Sequence, residues 1–293
     1  MESVNNNNKI LFNSIMLNVI TYIESLDDIR NVDFETNGTP CSEHNISSWE
    51  KKNMPYKLPN DMKALYKLMN GFTLKWKIMV GTAITEVGYM GLNSLENIVR
   101  IPMEGQFMKY SNDNSVDNAI ISNINNTNNT HTNTNILSPS SNIPSIPDIS
   151  TCAAFVIDSH PMFGQVCLLY APKSGKDTTP NTTSTNTFIF NSPEVWFQDC
   201  ACRWHYIAAT LPQYLRLLTL HMGILGWLFV YTPEGIPPVT YQWLNIYCKE
   251  RLILDTYWLN RIHKPKHHNN SNNNTNNTNS DKKYTNMSKK VLK

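Results

Sequence analysis

Apolar residues recur at helical spacing over 10–26, where Phe12, Ile15, Met16, Val19, Ile20, Ile23 and Leu26 fall on one side, and the pattern predicts a single amphipathic helix with one buried face. In "SSWE", Ser47 and Glu50 have the spacing of a capping box and predict that a short helix starts there. The stretch 58–78, "LPNDMKALYKLMNGFTLKWKI", is the most fully specified part of the chain. Pro59 presets a helix start, Asp61 lies near the positive end of the dipole, and Met62, Leu65, Tyr66 and Met69 form an i, i+3, i+4, i+7 stripe. Asn70-Gly71 then supplies a left-handed stop. From Phe72 the period changes to two: Phe72, Leu74, Trp76 and Ile78 alternate with Thr73, Lys75 and Lys77, which predicts a half-buried strand.

A second unit follows, with a strand near 84–87, a turn from Gly88 to Gly91 and a short helix from Ser94. "AAFVIDS" and "GQVCLLY", separated by "HPMFG", read as a hairpin, and "FIF" and "EVWF" as further strands. In "TLPQYLRLLTLHMG" Thr210 is the N-cap, Pro212 lies in the first turn, Gln213 completes a capping box and Gly223 is the stop. Pro212 would break a helix running through from Cys200, so "CACRWHYIAA" is a strand or an irregular lead-in. A last helix spans Pro238 to Tyr247. This order predicts an α+β fold, a mainly antiparallel sheet with helices packed on it. The apolar run from Leu217 to Tyr231 is shorter than the roughly 18 to 20 residues of a membrane span and contains His221, so it reads as a buried helix end entering a buried loop.

Composition limits how much of the chain can fold. Segments 111–150 and 173–187 are rich in Asn, Ser and Thr and too polar to offset their ordering entropy by burial, and are read as disordered insertions. The reading is one domain over 9–262, interrupted by these two segments, and a disordered basic tail over 263–293. Eight basic residues against Asp281 give +7 from Arg261 onward, so a net charge of +2 leaves −5 for the rest. Lys264, Lys266, Lys282, Lys283, Lys289 and Lys290 could attract an acidic partner, although a merely solvated tail is the commoner case. The body shows no basic face, so neither nucleic acid nor membrane is expected as a partner. Six cysteines and an N-terminus, "MESVNNNNK", without an apolar core point to the reducing cytosol and free thiols.

Reactive side chains are densest in "CACRWH", with Cys200, Cys202 and His205. Zinc would need a fourth ligand such as His221 or Cys248, but Cys-x-Cys is not the usual knuckle spacing and no second close pair exists, so ordinary buried thiols are expected. No third residue can be named to orient a Cys-His nucleophile pair. Asp158 and His160 sit where a hairpin turns, and a turn-stabilising aspartate is expected there. There is no phosphate-binding glycine loop. Trp76, Trp196 and Trp204 lie in apolar runs and are assigned to the core with Asn70 and Gly71, as scaffold rather than as ligand-stacking rings. No catalytic residue, cofactor or metal is assigned.

The residues "WEKKNMPYKLPNDMKALYKLMNGFTLKWKI" and "GYMGLNSLENIVRI" resemble the SMI1/KNR4-like superfamily, with its Leu-Pro helix, Asn-Gly stop, tryptophan strand and glycine-containing turn before a short helix. The segments "GQVCLLY", "EVWFQDCACRWHYIAATLPQYLRLLTLHMGI" and "YQWLNIY" narrow the resemblance to the tubulin polyglutamylase subunits of that superfamily, over about Ile10 to Tyr247. The resemblance implies a non-catalytic scaffold or regulatory subunit whose tubulin tyrosine ligase-like partner carries the activity. It also implies other complex subunits and tubulin or microtubules as partners, contacted directly or indirectly, and a place in the cytoplasm on the microtubule cytoskeleton, including centrioles or basal bodies. Two other classes remain open: a protein-binding module of the same superfamily in another regulatory complex, and a small enzyme built on Cys200, Cys202 and His205.

Overall fold

The computed structural model of the chain describes residues 2–103, 149–173 and 190–262. The insertion assigned to 111–150 lies outside them up to 148, the one assigned to 173–187 lies outside them from 174, and the tail lies outside them altogether. One compact unit covers Met1–Thr256, and Tyr257–Lys293 falls in a second.

The N-terminal helix is broken where the periodicity predicted continuity. α1 (Glu2–Ile15) ends at a corner in which Leu17 and Asn18 both take left-handed backbone angles, and α2 (Val19–Glu24) restarts at once. Asn13 builds the corner: its Oδ1 accepts from the Ile20 N–H at 3.0 Å and its backbone carbonyl from the Asn18 N–H at 2.7 Å. The apolar stripe survives, because Phe12, Met16, Val19, Ile20 and Ile23 are all buried.

β1 (Ile29–Thr36) follows, a strand that the pattern did not reveal. α3 (Glu43–Lys52) starts earlier than "SSWE" suggested: Ser42 caps it and Asn45 reaches back to the Ser42 N–H, so the capping box belongs to "SEHN". α4 (Asn60–Leu68) buries Met62, Leu65 and Tyr66. It ends at Met69 in an extended conformation, so Gly71, at φ 75°, turns the chain into β2 rather than capping the helix. A Cβ on Gly71 would lie 2.5 Å from the Leu92 carbonyl oxygen.

β2 (Phe72–Val80) has the predicted alternation and pairs antiparallel with β1 on one side and β3 (Ala83–Leu92) on the other. β3 runs straight through the expected Gly88–Gly91 turn, and the hairpin turn is instead at Gly81. Gly88 serves close approach: a Cβ there would sit 1.7 Å from Nε1 of Trp76. The expected helix at Ser94 is a single 3₁₀ turn, Leu95–Asn97.

A second sheet replaces the expected continuation of the first. Its order is β4 (Val99–Ile101), β5 (Ala153–His160), β6 (Gly164–Tyr170), β7 (Glu194–Gln198) and β8 (Trp204–Ala208), every pair antiparallel. β5, β6 and β7 are apolar on both faces. Phe155, Leu168 and Phe197 join the main core, whereas Val156, Leu169, Trp196 and Trp204 form a second cluster with Ile101 and Ile149 on the other side. Ile149 is thus core material at the edge of what composition marked as an insertion. The fold class is α+β with antiparallel sheets, as expected, but in two sheets. α5 (Leu211–Leu220) begins at Thr210 as predicted and runs into a 3₁₀ turn, Trp227–Tyr231. α6 (Pro238–Tyr247) has the expected bounds, and α7 (Lys249–Ile262) follows, a helix that the sequence reading missed. Among the described residues no helix is long and apolar enough to cross a membrane.

Candidate functional site

The thiols and imidazole of "CACRWH" do not converge. Cys200 and Cys202 are exposed on the turn between β7 and β8, contrary to the expectation of buried thiols, and Cys202 takes a left-handed φ of 60°. His205 points inward from β8, with Nε2 3.2 Å from Oδ2 of Asp199. That aspartate staples the turn: Oδ1 accepts from the Ala201 and Arg203 N–H groups at 2.9 Å, and Oδ2 accepts from Arg203 Nε at 2.9 Å. Arg203 also pairs with Glu234. Burial pushes the Asp199 carboxyl up, but the bonds from Arg203 and His205 outweigh it and hold the carboxyl below its ordinary value. Burial also lowers the His205 imidazole against the pull of Asp199. With both oxygens engaged, Asp199 is placed to fix a turn rather than to take a proton from a substrate. Among the described residues no three His, Cys, Asp or Glu side chains are grouped to hold a metal ion.

Asp158 does not stabilise a turn either. It is buried in β5, where Oδ1 accepts from the Tyr89 hydroxyl at 3.1 Å and from the Ser159 N–H at 2.9 Å, so that it links the two sheets. Burial raises its carboxyl to about 6 despite those bonds. His160 lies half-buried beside this pair, its ring edge-on to Tyr89 at 5.5 Å and its Nδ1 accepting from the Met162 N–H at 3.3 Å.

A polar network that the sequence did not signal joins α5 to α7. His221, fully buried, stacks on Trp227 at 4.4 Å, with Nδ1 2.7 Å from the Leu217 carbonyl and Nε2 2.8 Å from Oδ2 of Asp255, which also pairs with Arg251. The partners stand 34 residues apart, beyond the reach of any local motif.

The scaffold residues are placed as follows. Trp76 is fully buried and donates from Nε1 to the Met222 carbonyl at 2.8 Å, which ties β2 to the end of α5. Asn70 is buried, its Oδ1 accepting from the Leu95 N–H at 2.8 Å while its Nδ2 donates to Glu96. Trp196 and Trp204 lie in the second cluster, away from Trp76. Lys264, Lys266, Lys282, Lys283, Lys289 and Lys290 lie outside the described residues.

Two open grooves flank the starts of α4 and α5. One, of about 730 Å³, is lined by Tyr56, Tyr170 and Phe190 with Lys57 and Pro193 at its edge. The other, of about 340 Å³, is apolar and lies between the end of α1, α4 and α5. Neither lining includes a cysteine or a histidine, and the charged groups are Lys57, Asp61 and Lys63 in the first and Asp61 and Arg216 in the second.

Comparison with known proteins gives this arrangement a context. The chain is 31% identical over 209 residues to the human protein named tubulin polyglutamylase complex subunit 2, and 30% identical over 208 residues to each of the mouse and rat proteins of that name. The chain is similar to tubulin polyglutamylase complex subunit 2. The match takes in 71% of this chain but only 61% of the human relative's length, so the chain spans less than two thirds of it. No protein-family model and no solved structure matches, and the SMI1/KNR4-like label rests on the quoted residues alone. The human, mouse and rat relatives are named as subunits of a complex, not as its catalytic enzyme.

Proposed function

We propose that the chain is a non-catalytic subunit of a complex that adds glutamate chains to tubulin, a scaffold for a tubulin tyrosine ligase-like partner that supplies the activity. The similarity to tubulin polyglutamylase complex subunit 2 over 209 residues carries this reading. The chemistry of the described residues supports it: Asp199, His205, His221 and Asp255 are engaged with one another or with arginines and backbone. A ligase also needs phosphate-binding and Mg²⁺-binding groups that the sequence does not display. The proposal places the chain with the microtubule cytoskeleton, with Lys264, Lys266, Lys282, Lys283, Lys289 and Lys290 drawn to acidic tubulin tails by charge alone. Tagged chain purified from its own cells, followed by mass spectrometry, tests the reading. A ligase-like subunit and tubulin are expected, and consistent recovery of an unrelated regulatory complex would overturn it.

A further inference from the structure

A pocket of about 40 Å³ lies where the two sheets meet α5 and the turn after it. β3 contributes Tyr89, β5 contributes Asp158 and His160, the β5–β6 turn contributes Phe163, and Tyr214 comes from α5. The fold leaves two of its polar groups unused. Asp158 is 8% exposed, and only its Oδ1 is engaged, by the Tyr89 hydroxyl and the Ser159 N–H. Its Oδ2 accepts no hydrogen bond from a described residue, and Asp158 has no ion-pair partner among them. Tyr214 is 1% exposed, yet its hydroxyl has no hydrogen-bond partner among the described residues either. Burial and the neighbouring charges of Asp158 and Tyr89 raise that hydroxyl well above the ordinary tyrosine range, so it stays protonated.

Buried polar groups are normally paired, and a buried carboxylate without a counter-charge is costly, so two unpaired groups lining one pocket mark the place of a ligand. Asp199 shows the alternative. There Arg203 and His205 hold the carboxyl below its ordinary value, whereas Asp158, with no cation beside it, is raised to about 6. What Oδ2 calls for is a positive group carrying N–H donors. Size narrows the choice: about 10 to 15 Å³ admits one water-sized group, so this pocket seats a short head such as CH₂–NH₃⁺ rather than a ring. Half-buried Tyr89, His160 and Phe163, with His160 5.5 Å from the first ring and 5.0 Å from the second, offer aromatic surface that favours a cation and covers the methylenes behind it.

We propose that this pocket binds the primary ammonium group of an alkyl chain, its N–H groups donating to Asp158 Oδ2 and to the Tyr214 hydroxyl oxygen, with the methylenes leaving past His160 and Phe163. A free polyamine and a lysine side chain of another protein both carry this head. The chemistry of the pocket is independent of the complex proposed above.

The full chain, in phosphate buffer free of amines, is titrated with butylammonium chloride, and binding is read by saturation-transfer NMR and by the rise in melting temperature. 1-Butanol serves as the neutral isostere. Butylammonium is expected to bind at least about tenfold more tightly than 1-butanol, the scale of one charge-assisted hydrogen bond. Asp158→Asn keeps an oxygen acceptor for Tyr89 and Ser159 and is expected to abolish that preference. Tyr214→Phe removes a hydroxyl that no described residue uses, so it should leave the melting temperature of the free chain unchanged while weakening butylammonium binding about tenfold. If Asp158→Asn fails to fold, Tyr214→Phe decides alone. Equal binding of butylammonium and 1-butanol by the wild type would reveal a merely apolar cavity, and binding of neither a cavity for water; each result overturns the proposal. So would variants that bind butylammonium as the wild type does. With the preference established, spermidine and Nα-acetyl-lysine methylamide distinguish the sources, the tighter of the two identifying a free amine or a protein side chain as the ligand.

Discussion

Asp158 was legible in the sequence only as a polar residue near a hairpin, and the structure gives it a different task. Its partner Tyr89 is 69 residues away, and the pair forms because Gly91 leaves room: a Cβ there would lie 2.3 Å from Oδ1 of Asp158. With a carboxyl raised to about 6 against an ordinary 3.8, the folded protein binds more protons at this site than the unfolded chain does between those values. This group therefore contributes stability below pH 4 that is lost as pH rises through about 6. Asp158→Asn keeps an oxygen acceptor for Tyr89 and Ser159 and removes the titration. The stability difference between variant and wild type, read from denaturant melts, should shift in the variant's favour by about 2 to 3 kcal/mol between pH 4 and pH 7. A constant difference would show that Asp158 titrates normally. Trp76 is the opposite case, read correctly from its place in "FTLKWKI" because alternation alone puts it inside. Trp76→Ala loses a fully buried ring and its bond to Met222, and should cost about 3 to 5 kcal/mol in the same melts.

At the scale of elements, what the sequence disclosed depends on how local the cause is. α4, β2, the β5–β6 hairpin, α5 and α6 are specified by caps, turns and periods within a dozen residues, and their existence was readable. The break after α1 was not, because it rests on Asn13 reaching forward to Ile20 while an apolar stripe continues unbroken across it. β3 was cut short because two glycines suggest a turn, when one of them yields to the Trp76 ring. β1 was hidden by polar residues on an edge strand, and the second sheet by runs apolar on both faces, which carry no alternation. Leu17→Gly tests the corner: relief of a left-handed leucine should stabilise the fold by about 1 kcal/mol, roughly 2 to 4 °C in melting temperature. A lower melting temperature would show that the leucine packs usefully in the free chain. The grooves were invisible for a related reason, since helix faces belong to different parts of the sequence until the fold brings them together.

For the whole molecule, composition misled at the margin of the 111–150 segment, where Ile149 proved to be buried. The topology explains why long segments can interrupt the fold. β4 and β5 are antiparallel neighbours with Ile101 opposite Ala154, and Pro172 bridges Phe190, so each interruption joins chain that is already adjacent. Replacing 111–148 or 174–187 by a short Gly/Ser turn should leave the melting temperature nearly unchanged, because closure entropy varies only logarithmically with length. A large drop in either case would show that the replaced segment contributes to the core. The central claim, that this chain serves polyglutamylation by binding rather than by catalysis, is tested most directly by incorporation of labelled glutamate into microtubules in the presence of ATP. The tagged assembly purified from its own cells should incorporate label, and the isolated chain should match a no-protein control; incorporation by the isolated chain, or none by the assembly, would contradict the account.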